Sequence, residues 1–273
     1  MKTFLRSKFP SLYAKLSRVR KGMRRRKFKR HEVIHNYCGY PLKILLADVN
    51  GQDWYDCDWG GDPPEIKELR LHRLKTGTRV FEIGAHQGVM AMVLSRIVGE
   101  SGQVVAVEAE PFQAGIARRN RELNAIAQLQ IIESVVVDQS GPLSARKNFD
   151  HTAADRLLDW GQVGVPGITL DDLTRKFGPP DVLFVDVDGF ECQVLRGARQ
   201  TLDTFPDCCV EIHIETGLEA EGGSLEEVLS FFPSESWEHR MTFLDNGWQP
   251  FVAFDPLTTK PAKRFSMIAI PRR

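Results

Sequence analysis

From about residue 76 the chain alternates short apolar runs with segments of helical rhythm. Arg79-Val80-Phe81-Glu82-Ile83 reads as a strand, followed by a glycine turn and an apolar helix from about Gln87 to Val98. Gly99 to Gly102 ends that helix, Val104 to Val107 is the next strand, and Pro111 opens a helix to about Asn124. Ile131 to Val137 is predicted as a third strand and Val182 to Val185 as a fourth, with a helix from about Glu191 to Leu202. Cys209 to His213 follows as a fifth strand. Thr169-Leu170-Asp171-Asp172 and Ser224-Leu225-Glu226-Glu227 carry helix-start signals. Late strands are expected around Gln249 to Phe254 and Phe265 to Ile270, pairing as a hairpin. Leu143 to Gly167 is irregular and too long for a plain connection, so a functional loop or small insertion is expected there. Strands alternating with helices predict an α/β fold: a mostly parallel sheet covered on both faces, with an antiparallel edge strand.

The region before residue 76 differs. Leu5, Phe9, Leu12, Leu16, Val19 and Met23 recur at helical spacing among basic residues, interrupted or opened by Pro10. Residues 1–31 hold 13 Lys or Arg and no acid, so the other 242 residues carry 23 bases against 36 acids. The zero net charge therefore hides a basic arm, placed at 1–35, a lead-in or cap segment at 36–75, and an acidic body at 76–273. The arm suits an anionic membrane surface, nucleic acid or an acidic partner, or else a solvated tail. It lacks the continuous apolar stretch of a secretory signal, but an organellar transit peptide is compatible with it. Composition is ordinarily globular at 42% hydrophobic and 26% charged, which excludes fibrous or wholly disordered chains. No apolar run is long enough to cross a membrane. Five scattered cysteines without zinc-ligand spacing fit reduced thiols, and a cytoplasmic location, peripheral at a membrane if the arm binds one, is the expectation.

Ligands in such sheets bind beyond the carboxyl ends of the strands, where strand order reverses. The first strand delivers Glu82-Ile83-Gly84-Ala85-His86-Gln87-Gly88, the second Glu108, the third Asp138, the fourth Asp186-Val187-Asp188-Gly189-Phe190-Glu191, and His213 closes the fifth. Glu108 follows Gly84 by 24 positions, close to the ~20-residue interval of a ribose-binding acid. The turn has Ala85 where G-x-G-x-x-G is wanted and no G-K-[ST], so neither a nicotinamide dinucleotide nor a P-loop phosphate is favoured. An acid at Glu82 would repel a pyrophosphate but suits the ammonium of S-adenosylmethionine.

With these segments in order, the chain resembles the FkbM family of S-adenosylmethionine-dependent methyltransferases from about Leu74 to Ala269. Val80 to Gly88 resembles its first motif, Val104 to Pro111 with Asn120 and Asn124 its second block. Asp186 to Glu191 with Val194-Leu195-Arg196-Gly197-Ala198 resembles its most characteristic segment, and Val210 to His213 the strand after it. His86 stands where the family usually has Asn, and Asp188 where it has Glu. The resemblance implies a class I methyltransferase fold, a Rossmann-like three-layer sandwich. It implies that Glu82, Gly84, Ala85 and Gly88 hold the methionine end and Glu108 the ribose. Val135 to Asp138 would approach the adenine, and His86 and Ala109 complete the cofactor set.

The implied reaction is methylation of a hydroxyl on a sugar or secondary metabolite, a small molecule or a glycan. Asp186, Asp188 and His213 are the catalytic candidates, with Glu191 as a further base or orienter; Asp186 is preferred as base. No resident metal is expected, although Asp186, Asp188 and His213 offer the donors for a divalent ion that would activate the hydroxyl. Cys192 reads as a small buried apolar group rather than a nucleophile. Trp54, Tyr55 and Trp59, interleaved with Asp53, Asp56 and Asp58, read as a packed cap more readily than as acceptor lining. The alternative is a nucleic-acid methyltransferase or binding protein anchored by the arm. The acidic body disfavours it, since a phosphate footprint needs a positive surface, and no N-P-P-[YF]-like tetrapeptide is present.

Overall fold

A computed structural model describes residues 27–142, 164–244, 247–259, 261 and 263–272. The amphipathic pattern over 5–23 and most of the irregular stretch from 143 lie outside the described residues.

The central sheet is built from β3 (Arg79–Ile83), β4 (Gln103–Glu108), β5 (Leu129–Glu133), β9 (Val182–Val185), β10 (Asp207–Ile212), β11 (Trp237–Phe243), β12 (Val252–Ala253) and β13 (Phe265–Pro271). Its order is β12-β11-β13-β10-β9-β3-β4-β5. Strands β5, β4, β3, β9 and β10 are mutually parallel, while β13 runs antiparallel to both β10 and β11. The short β12 closes the edge, antiparallel to β11. The chain leaves β3 toward β4 on one side and later returns to β9 on the other, so order reverses between β3 and β9. That is the place where an open α/β sheet leaves a crevice for ligand.

The period-2 pattern of the strands sorts their side chains onto two faces. Phe81, Ile83, Val105, Leu183 and Val210 join one core with helices α5 (Leu170–Phe177), α6 (Glu191–Arg196), α7 (Arg199–Leu202) and α8 (Leu225–Ser230). Val80, Val104, Ala106, Val182 and Ile268 join the other with α2 (Pro64–Arg70) and α3 (Val89–Val98). The result is a three-layer α/β sandwich. On the second face, α4 (Pro111–Leu123) packs against β4 and β5.

The lead-in segment forms a hairpin, β1 (His31–Tyr37) with β2 (Tyr40–Leu46), followed by α1 (Val49–Tyr55). The hairpin starts four residues before position 35, the arm boundary drawn from composition. Asn120 on α4 accepts the Leu45 N–H at 2.7 Å and donates to the Gln87 carbonyl at 2.9 Å. Asn124 accepts the Lys43 N–H and donates to its carbonyl. Two side-chain amides thus imitate a strand partner for β2 and satisfy backbone groups that would otherwise be orphaned.

Several expected elements differ. The third strand stops at Glu133, and Val135–Val136 (β6) leaves the main sheet to pair with β8 (Pro166–Ile168), which pairs on its other side with β7 (Gly141–Pro142). The helix expected from Glu191 to Leu202 breaks at Gly197, which sits so tightly on the Val137 carbonyl that a Cβ would come within 2.3 Å of it. The two late strands do not form a hairpin with each other. Strand β13 pairs with β10 and β11, and β12 joins β11 only. Strand β11 was not legible, because Glu238, His239 and Arg240 interrupt its apolar pattern. His239 is nevertheless buried, with Nε2 at 2.8 Å from the Phe232 carbonyl.

Candidate active site

Strand β3 ends in Glu82-Ile83 and turns through Gly84 at φ +96°. A Cβ built on Gly84 would lie 1.7 Å from the Asp186 carbonyl oxygen, so the turn can cross the end of β9 only as glycine. His86 follows at φ +48° and Gly88 at φ +78°, and α3 starts at Val89. This winding aims the His86 backbone N–H at the Glu108 carboxylate, at 2.6 Å to Oε2. The Glu110 N–H donates to Oε1 at 2.8 Å. Each oxygen keeps further acceptor capacity, and Glu108 faces a cavity of about 960 Å³. Burial pushes its carboxyl above the usual range, with the Glu110 charge adding to it against the N–H bonds that lower it.

Among the candidates for cofactor contact, Glu82, Gly84, Ala85, His86, Glu108, Ala109 and Val135 line this cavity. Gly88 and Asp138 do not: Gly88 packs against Ala117 on α4, and Asp138 lies beside Gly197. Asp186 and Asp188 line the cavity too, and Arg264 is the only Lys or Arg among its described lining residues. Behind them stands His213, buried, with Nδ1 2.5 Å from Glu191 Oε1. Its Nε2 lies 3.4 Å from Asp188 Oδ1, 3.4 Å from Glu211 Oε1 and 3.7 Å from Asp186 Oδ1. Burial disfavours a charged imidazole, but the carboxylates of Glu191 and Glu211 outweigh it and raise His213 to about 10. Burial and the neighbouring Glu211 charge push Asp186 upward.

Glu191, a candidate base from the sequence, is fully buried and meets His213 instead of the cavity. Glu211 is the residue sequence reasoning passed over. It is the lone acid within the apolar run of β10, a signal that a polar side chain there faces something other than core. It lines the cavity and pairs with Arg264. In the aromatic stretch, Tyr55 and Trp59 pack on the core, and Trp54, Tyr55 and Trp59 line the cavity together with Trp248. Trp54 sits 4.9 Å from the His86 ring, centroid to centroid. The two positions where this chain departs from the family pattern, His86 and Asp188, both hold left-handed backbone at φ +48°.

The cavity suits S-adenosylmethionine by its donor set. Glu82 is 3% exposed and its Oε2 has no hydrogen-bond partner, a buried acceptor waiting for a donor. Burial first, then the Asp186 and Glu108 charges, hold its carboxyl well above the usual range, which favours the neutral form, and a cation such as an ammonium beside it would oppose that shift. A carboxyl raised in the folded state contributes stability in full below its unfolded pKa of about 4.3 and loses it as pH rises through the folded value. Glu82→Gln removes that loss. Its melting temperature, relative to wild type without donor, should therefore gain as pH rises above the unfolded value of about 4.3. A difference that does not change with pH contradicts a neutral Glu82.

A doubly wound sheet whose crevice offers carboxylates to an ammonium and a ribose, and no cradle for phosphate, defines a class I S-adenosylmethionine-dependent methyltransferase domain. A family model described as the methyltransferase FkbM domain matches residues 82–244, and the chain belongs to that family. The protein-L-isoaspartate O-methyltransferase of Thermotoga maritima is 35% identical over 91 residues, 30% of this chain and 27% of that protein. The chain thus spans about a quarter of the length of that curated relative. Among solved structures, methyltransferase FkbM from Methylobacillus flagellatus KT aligns with 73% of this chain and 45% of its own at 12% identity and a TM-score of 0.47. A SAM-dependent methyltransferase from Aquifex aeolicus aligns with 83% of this chain and 94% of its own at 16% identity and a TM-score of 0.43. No helix among the described residues is long and apolar enough to cross a membrane.

Proposed function

We propose that this protein methylates a hydroxyl group of a sugar or secondary metabolite, a small molecule or a glycan. The observation that carries the reading is that Asp186 and Asp188, gathered around the buried His213, line the same cavity as Glu82 and Glu108. Glu82, Gly84 and Ala85 form the end that would hold the methionine portion, Glu108 would take the ribose diol, and Val135 would flank the adenine. When bound, S-adenosylmethionine supplies an electrophilic methyl group on a sulfonium that is already a good leaving group.

The chain's own residues then have two tasks, alignment and removal of one proton. Alignment is the larger, because reacting atoms held at ~3–3.5 Å need little further rearrangement. His213, whose Nδ1 is taken up by Glu191, serves to orient the acids around it rather than to act as the base. Asp186 and Asp188 reach the cavity and take the acceptor's hydrogen bond and then its proton. The Trp54 and Trp248 rings lining the cavity offer flat apolar faces to a ring-shaped acceptor. A carboxylate-lined cavity repels a nucleic-acid backbone, which supports a small or glycan acceptor over RNA or DNA.

The test is transfer of radiolabelled methyl from S-adenosylmethionine to a panel of glycosides and hydroxylated metabolites, with RNA and DNA alongside. Label in a hydroxyl acceptor is expected; label only in nucleic acid overturns the reading. Asp186→Asn should lower kcat by about 100-fold or more, within the range general-base catalysis contributes, with donor affinity kept. Undiminished turnover removes Asp186 from the machinery.

A further inference from the structure

The ends of two adjacent strands, β9 and β10, bring different donor types to one point. One ligand-capable atom each from Asp186, Glu211 and His213 lies within 4.8 Å of the other two. We propose that Asp186, Glu211 and His213 form a divalent-cation site at the base of the cavity, suited to a first-row ion such as Mn²⁺. Glu211 takes the place that Asp188 held in the set drawn from sequence.

The geometry is close to what an ion needs. Donors about 2.1 Å from a metal lie ~3.0 Å apart when adjacent around it. The His213 Nε2 contacts to Glu211 and Asp186, at 3.4 and 3.7 Å, are longer than that spacing by less than ~1 Å, which side-chain adjustment around an ion would close. His213 is also prepared as a ligand. Its side chain is 3% exposed, Glu191 occupies Nδ1, and Nε2 is left pointing into the carboxylates, where it makes only these longer contacts. A buried carboxylate behind a histidine is the arrangement that fixes tautomer and ring orientation in metal sites. Glu191 is itself held in place by the Gly189 N–H, at 3.1 Å.

Charge points the same way. Asp186, Asp188 and Glu211 surround a single imidazole, and the cation already present, Arg264, makes its ion pair among the described residues with Glu211. Arg264 would share that carboxylate with the ion. Two carboxylate oxygens and one imidazole nitrogen suit Mn²⁺ better than Ca²⁺, which prefers oxygen alone. Asp188, with its side chain 86% exposed, stays outside the set and free to take a proton. An acceptor hydroxyl bound to the ion would have a lowered pKa and pass its proton to Asp188. That use rests on the hydroxyl-methylation reading; the site itself does not.

The experiment titrates Mn²⁺ into the full chain, stripped with EDTA and dialysed, without donor or acceptor, and follows free Mn²⁺ by electron paramagnetic resonance. One saturable site per chain is expected. Asp186→Asn and Glu211→Gln should each weaken it by at least the ~10–100-fold that loss of an outer-shell partner costs. Glu226→Gln, an acid in the first turn of α8, should bind as wild type does. Pulsed resonance should show a directly bound imidazole nitrogen, lost in His213→Asn; if that variant does not fold, the two carboxylate variants decide alone. No saturable binding below about 1 mM, affinities unchanged in both carboxylate variants, or no imidazole nitrogen overturns the site. Methyl transfer that survives EDTA without bound Mn²⁺ removes the metal and leaves the hydroxyl reading standing. Mn²⁺ bound by these residues, with no hydroxyl acceptor labelled, does the reverse.

Discussion

Gly84→Ala is expected to abolish the folded site, with a loss of stability of about 4 kcal/mol, the sum of left-handed strain and overpacking. The new methyl would be driven to 1.7 Å from the Asp186 carbonyl, a backbone atom that cannot swing aside. Relief would require β3 and β9 to separate, and their pairing runs directly up to this point, Ile83 opposite Val185. The comparison is Gly39→Ala, at φ +84° with nothing within 4 Å of the added carbon, which carries backbone strain alone, about 1 kcal/mol. Denaturant midpoints of the two variants measure the difference. Equal losses would mean that the crossing of β3 over β9 is looser than described.

Glu108→Ala should leave the sheet intact and cut S-adenosylmethionine affinity by about 100-fold, ~2.7 kcal/mol. Two charge-assisted hydrogen bonds to a ribose diol, at ~1.5–3 kcal/mol each, are lost together. The variant also frees the His86 and Glu110 N–H groups that shape the turn, so part of the loss is preorganisation. Glu108→Gln separates these contributions. It keeps one acceptor oxygen but turns the other into a donor, and should fall between wild type and alanine. Calorimetric titration giving wild-type affinity for the alanine variant refutes the ribose assignment.

The parts of this molecule that could be read from sequence are those governed by neighbours in the chain. The turn at Gly84 to Gly88, the acid closing β4 and the capped start of α5 all announce themselves locally. At the last of these, Thr169 Oγ1 accepts the Asp172 N–H at 3.0 Å as the four-residue signal implies. What escaped depends on residues far apart. The departure of Val135–Val136 from the main sheet is set by β8, some thirty residues on. The break at Gly197 is set by the Val137 carbonyl pressed against it. Glu211 was hidden because its meaning comes from His213, Arg264 and Asp186, and a single acid within an apolar strand does not reveal which groups face it. Glu191 misled for the opposite reason: it sits in a segment rich in chemistry but turns inward to hold a histidine.

Strand β13 lies later in the chain than every other strand and yet occupies an interior place, between β10 and β11. During synthesis the outer edge of β10 therefore stays unpaired after β11 has emerged, because the piece that joins them is still being made. The nascent molecule can assemble the half of the sheet that carries Glu82 and Glu108, but its other half closes only after β13 has emerged. For this architecture, the donor-binding crevice has a chance to take shape before the chain that surrounds it is finished.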